Sequence, residues 1–161
     1  METKTALSNK SLLIVFSYAR AGLGHLRVVN ALADGLDNKE RTVLIGSRDT
    51  GIEAIHNFIS LNFIARNIME WVQRGSFQSL FTKLYRNYLR SNSSTLYSQI
   101  IEIYNQKIDV PRKMIFVATH FGLAHQLSLI KEQIEKEKDV EIKLIVQVTD
   151  DSPQYIWYVP G

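Results

Sequence analysis

The sequence predicts an α/β protein, a Rossmann-like three-layer sandwich with a mostly parallel sheet. Three observations predict it. Apolar runs such as Leu12 to Phe16 lack the polar alternation of a half-solvated strand, so they suit a parallel sheet covered on both faces. These runs alternate with apolar stripes at helical spacing. The first alternation carries a glycine loop between strand and helix, as a βαβ unit does.

Met1 to Lys10 is polar and reads as a flexible N-terminus, with 11–161 as one Rossmann-like domain. Leu12 to Phe16 is a buried strand, and Ser17 to Gly24 is the loop after it. His25, Val28, Val29, Leu32 and Leu36 then recur as one helical face, which Asp37 and Asn38 should end. Thr42 to Ile45 is the second strand. Residues 51–76 admit more than one reading, with a strand around Phe63 as one of them. Phe77, Leu80, Phe81, Leu84, Tyr85, Tyr88 and Leu89 form a helical stripe, and Ser91 to Thr95 is a break rich in capping residues. A second stripe runs through Tyr97, Ile100, Ile101, Tyr104 and Ile108, to a stop at Asp109-Val110-Pro111. Met114 to Ala118 is the third strand. Leu123, Leu127, Ile130 and Ile134 mark the helix behind it, and Ile142 to Val148 is the fourth strand. The tail from Asp150 to Gly161 reads as a loop.

Composition bounds the function. The chain has 161 residues, 45% hydrophobic and 22% charged, which is the mix of a globular domain. It has no cysteine, so disulfides, thiolate metal sites and cysteine nucleophiles are excluded. The net charge of +3 is too small an excess to suggest a nucleic-acid partner. No apolar run approaches the roughly 18 residues of a membrane span. The expected location is cytoplasmic.

In a doubly wound sheet, ligands bind beyond the carboxyl ends of the strands. Gly22, Gly24 and His25 fall there, as do His120 and Asp150. Gly22-Leu23-Gly24 would let the backbone approach a ligand, but Arg27 stands where a dinucleotide fingerprint needs glycine. A Walker-type Gly-Lys-Ser/Thr is also missing. The loop is either a ligand loop of another kind or only a tight turn. His25 opens the helix, where the dipole disfavours a charged ring, and a neutral imidazole can take a proton from a hydroxyl. The plainer alternative is a hydrogen-bonding residue at a helix start. His120 follows the third strand and would face the same crevice, or simply sit satisfied at the sheet end. His125 reads as structural and His56 as surface. Asp150 and Asp151 could hold a substrate hydroxyl or form a solvated turn. No ligand pair has metal-site spacing, so no metal or cofactor is expected.

The stretch from Phe63 to Arg90 holds Arg66, Arg74, Lys83, Arg86 and Arg90 against one acid, Glu70. Lys83, Arg86 and Arg90 share a helical face opposite the apolar stripe. With Trp71 nearby, such a helix can rest on an anionic membrane surface. An ordinary core-facing helix with a solvated basic face explains the same pattern.

Three segments together resemble the N-terminal domain of GT-B glycosyltransferases, and among them the monogalactosyldiacylglycerol synthase family. They are Ala21-Gly22-Leu23-Gly24-His25, Ala118-Thr119-His120, and Val148-Thr149-Asp150 followed by Pro153 and Trp157-Tyr158. The sequence departs from the family pattern at Leu23, where a third glycine is usual. The resemblance implies half of a GT-B fold, with the acceptor held by this domain and the nucleotide-sugar donor by a C-terminal one. It implies a lipid or other hydrophobic acceptor and His25 as general base. Gly22, Gly24, His120, Asp150 and Trp157 would line the substrate crevice, and Trp71, Lys83, Arg86 and Arg90 would meet the membrane. It further implies no metal requirement and a peripheral position on the inner face of the plasma membrane. Because the chain stops at Gly161, the expectation is a domain inactive without its donor partner. The competing expectations are a non-catalytic Rossmann-like module for a small ligand or nucleotide, and half of a sugar-nucleotide epimerase.

Overall fold

The computed structural model describes residues 12–20, 23–37, 41–48, 62, 67, 78–149 and 155–159. In chain order the elements are β1 (Leu12–Tyr18), α1 (Leu23–Asp34), β2 (Thr42–Gly46), α2 (Gln78–Ser91), α3 (Ser93–Asn105), β3 (Lys113–Ala118), α4 (Phe121–Lys138) and β4 (Glu141–Val146). A 3-10 turn follows at Tyr155–Trp157. The four strands form one parallel sheet in the order β2-β1-β3-β4. The protein is therefore α/β with a Rossmann-like arrangement of sheet and flanking helices.

Strand alternation divides the apolar residues between two faces. Leu13 and Val15 of β1, Met114, Phe116 and Ala118 of β3, and Ile142 of β4 face one way. Leu96, Ile100 and Tyr104 of α3 and Leu123, Leu127, Ile130 and Ile134 of α4 cover them. Phe16, Ile14 and Tyr18, with Val117 and Ile115, face the other way against Val29, Ala33 and Leu36. The α3/α4 face holds most of the buried core, and Phe116 and Ile100 are fully buried there. The α1 face is thinner, and Leu44 and Ile145 on the outer strands remain exposed.

The helix α4 is held at both ends. The His120 imidazole Nδ1 accepts the Gly122 N–H at 3.1 Å, satisfying one of the open donors of the first turn. Lys136 and Lys138 lie in the last turn, where cations complement the dipole. Asp139 ends it in the left-handed region at φ 50°, which aspartate tolerates better than most residues. The Glu135 carboxylate then accepts the Ile142 N–H at 2.8 Å, tying this helix to β4. The Tyr104 hydroxyl donates to the Lys138 carbonyl at 3.1 Å, and Tyr97 donates to Glu137, so α3 is bound to α4.

Several expected boundaries move. The first strand extends two residues past Phe16, and the fourth ends at Val146, so Val148 belongs to the following loop. The helix α3 ends at Asn105, and Ile108 is fully exposed rather than part of a core stripe. Leu32 is likewise exposed, leaving Val29 as the buried anchor of α1. Residues 51–61 lie outside the described residues, and so does nearly all of 63–77.

Phe116 should be the most damaging truncation in the core. Phe116→Ala should cost about 3–5 kcal/mol, the range for a buried aromatic. Urea unfolding of the variant against the parent chain checks it, and a loss below about 1 kcal/mol would contradict the packing described.

Candidate functional site

The order β2-β1-β3-β4 fixes where to look. From β1 the chain moves to one side to make β2, and β3 and β4 build the other side. The topological switch point therefore lies between the carboxyl ends of β1 and β3. His25, His120 and Thr149 gather around it.

The ends of the strands are joined by hydrogen bonds that run one residue past the ladder. Thr119 donates its N–H to the Ser17 carbonyl at 3.1 Å, and its hydroxyl donates to the same oxygen at 3.2 Å. The Ser17 hydroxyl donates across to the Val117 carbonyl at 3.3 Å. Gln147 N–H donates to the Ala118 carbonyl at 2.8 Å, and Ser47 N–H to the Tyr18 carbonyl at 3.0 Å. Ser17, Ser47 and Thr119 are all buried. Buried hydroxyls need such partners, and here they also set the relative height of the loops that follow.

His120 is buried and extended, at φ −139° and ψ 131°. Its Nδ1 is committed as a hydrogen-bond acceptor at the start of α4, so a neutral ring carries its proton on Nε2. The ring stacks on Phe121 with centroids 4.4 Å apart. Phe121 in turn meets the edge of Trp157 at 5.7 Å.

His25 lies in the first turn of α1 and is half-buried. Its ring meets that of His120 edge-on, with centroids 5.2 Å apart and planes at 83°. Its Nδ1 is 3.3 Å from the Thr149 hydroxyl, which itself donates to the Thr119 carbonyl at 3.4 Å. Which of the two groups donates in the His25–Thr149 contact follows from the imidazole tautomer. With Nδ1–H as the donor, the Nε2 lone pair is able to accept a proton.

The structure thus brings His25 and His120 together, and adds Thr149 beside His25. Trp157 is buried against Phe121, and the exposed aromatic beside it is Tyr158. Gly24 has open space around the position a Cβ would take. Gly22, Asp150 and Trp71 lie outside the described residues. Arg86 and Arg90 fall on α2, and Lys83 on the same helix is exposed. Leu80 and Leu84 are exposed too, while Leu89 at the other end of the helix is fully buried. Among the described residues no three acidic or histidine side chains group as a metal site. Among them, too, no helix is long and apolar enough to cross a membrane.

A cavity of about 360 Å³ lies at the opposite, amino end of the sheet, lined by Leu12, Arg41, Lys107, Asp109 and Pro111. Size alone would favour it. The switch-point argument favours the strand ends at His25, His120 and Thr149, where titratable groups gather.

His125 is structural, in a way the sequence does not disclose. It is buried in α4, and its Nε2–H donates to the Ile156 carbonyl at 2.8 Å, fastening the turn that carries Trp157. His125→Leu should leave that carbonyl unpaired and cost about 1–3 kcal/mol. Denaturant melts check the loss, and an unchanged midpoint would show that the turn is not held this way. No protein-family model, curated protein or solved structure matches the chain.

Proposed function

We propose that this chain is the acceptor-side domain of a glycosyltransferase with two Rossmann-like halves, with His25 as its general base. The observation that carries the reading is the position of His25. It stands at the switch point, its Nδ1 is tied to Thr149, and its ring lies against His120. A half-buried imidazole with one nitrogen engaged and the other able to accept suits the removal of a hydroxyl proton. In the proposed reaction an acceptor oxygen attacks the anomeric carbon of a nucleotide-sugar. Its proton passes to His25 Nε2, and the nucleoside diphosphate departs.

The exposed Leu80 and Leu84 beside Lys83 support a hydrophobic acceptor presented at a membrane surface. An apolar pair beside a cation on one helix can contact acyl chains and anionic headgroups together. On this reading the donor is held by a second domain, and the nucleotide-sugar is not expected to bind tightly to this half.

In an enzyme carrying both halves, His25→Ala should lower turnover by about two to four orders of magnitude. Unchanged turnover would remove His25 from the chemistry. Thr149→Val should lower turnover by about tenfold or more, with Thr149→Ser restoring most of it, because a lost charge-stabilising hydrogen bond is worth about 1.5–3 kcal/mol. Equal activity of Thr149→Val and the parent enzyme would overturn the orienting role.

A further inference from the structure

A second recess opens at the carboxyl edge of the sheet, beside β2. Its volume is about 220 Å³, and Arg20, Gly46, Arg48, Gln99, Glu102 and Ile103 line it. None of His25, His120 and Thr149 lines it. Arg20 follows β1 and Arg48 follows β2, and these strands are neighbours, so the ends of two adjacent strands deliver two guanidinium groups to one recess.

The residues at β2's end hold this arrangement. A Cβ on Gly46 would come within 2.8 Å of Arg20 Nε and 3.1 Å of the Tyr18 hydroxyl. Arg20 can lie against the strand end because position 46 is glycine. Gln99 of α3 donates its side-chain amide to the Gly46 carbonyl at 3.4 Å, fixing the helix over that end. Among the described residues the charge in the recess is incompletely balanced. Arg48 reaches Glu102 at 3.9 Å, at the long limit of an ion pair, and both side chains are more than half exposed. Such a pair is loose and easily re-formed around a ligand. Among the described residues no acid is within ion-pair distance of Arg20.

We propose that this recess binds the phosphate of a small hydroxylated phosphomonoester. Two guanidinium forks match the oxygens of a phosphate bidentately, which a single ammonium cannot do. Glu102 would accept a hydroxyl of the same ligand, a contact that a bare anion cannot make. The recess is smaller than the roughly 300–1,000 Å³ of clefts that hold a whole drug-sized ligand, so it fits one headgroup rather than a nucleotide. The inference is independent of the transfer chemistry at His25.

Titration calorimetry of the 161-residue chain with glycerol 3-phosphate, against glycerol, tests it. Saturable binding of the phosphate ester alone is expected, weakening as salt rises. Arg20→Gln and Arg48→Gln should each weaken it by about tenfold or more, from the loss of a charge-assisted contact. Lys136→Gln makes the same charge change on the exposed side of α4 and should leave binding unchanged. Gly46→Ala keeps both arginines yet should weaken binding by displacing Arg20, with thermal melts showing each variant folded. A second arm uses phosphatidylcholine vesicles with and without lysophosphatidic acid, whose headgroup keeps one free glycerol hydroxyl beside the phosphate. Binding there that Arg20→Gln removes assigns the phosphate to a lipid headgroup, and binding only of the soluble ester assigns it to a free metabolite. The proposal is overturned if neither probe binds saturably, or if the arginine variants lose no more than Lys136→Gln.

Discussion

The junction between β1 and β3 is what the rest of this protein depends on. These strands are distant in sequence, and Thr119 closes them by giving both its N–H and its hydroxyl to the Ser17 carbonyl. Ser17 answers through its own hydroxyl to Val117. Because the group is buried, water cannot replace any of these bonds, and losing one would leave a polar atom unsatisfied. The junction sets the register of Leu13 against Met114 and Val15 against Phe116, which is the centre of the core. It also sets the heights at which α1 and α4 begin. His25 and His120 are brought within ring contact as a result.

The two histidines have divided labour. His120 spends Nδ1 on capping α4 and is buried. His25 is more accessible, and its Nδ1 engages a hydroxyl rather than a helix. Identical side chains a short distance apart are thus given different partners by their surroundings. The same edge of the sheet carries the arginine recess beside β2, so chemistry-bearing residues concentrate where the strands end. The physical reason is that the strand interiors are apolar on both faces, and polar side chains are affordable only at the rim.

Among the described residues, the α1 face is less covered than the α3/α4 face. Leu44 and Ile145 at the two outer strands are exposed, and so are Leu80 and Leu84 at the start of α2. Among the described residues of the stripe on α2, Leu89 is fully buried and Tyr88 packs beside it, near the end of the helix. Spacing alone cannot separate these uses, since a stripe looks the same whether a core or a partner covers it.

The sequence by itself determined the fold class and the strand–helix order. Unbroken runs such as Leu12 to Phe16 suit a strand covered on both faces, and Leu123, Leu127, Ile130 and Ile134 share one helical face, which here meets the core. It also put His120 just past the third strand and His25 at the far end of the loop that follows the first. Tertiary structure alone decided that β1 and β3 are neighbours, that Thr149 meets His25, that His125 fastens the Trp157 turn, and that Arg20 shares a recess with Arg48. Each of these joins residues from different strands or loops. Hydrophobic period reports which face of its own element a residue occupies, and says nothing of which other element lies opposite.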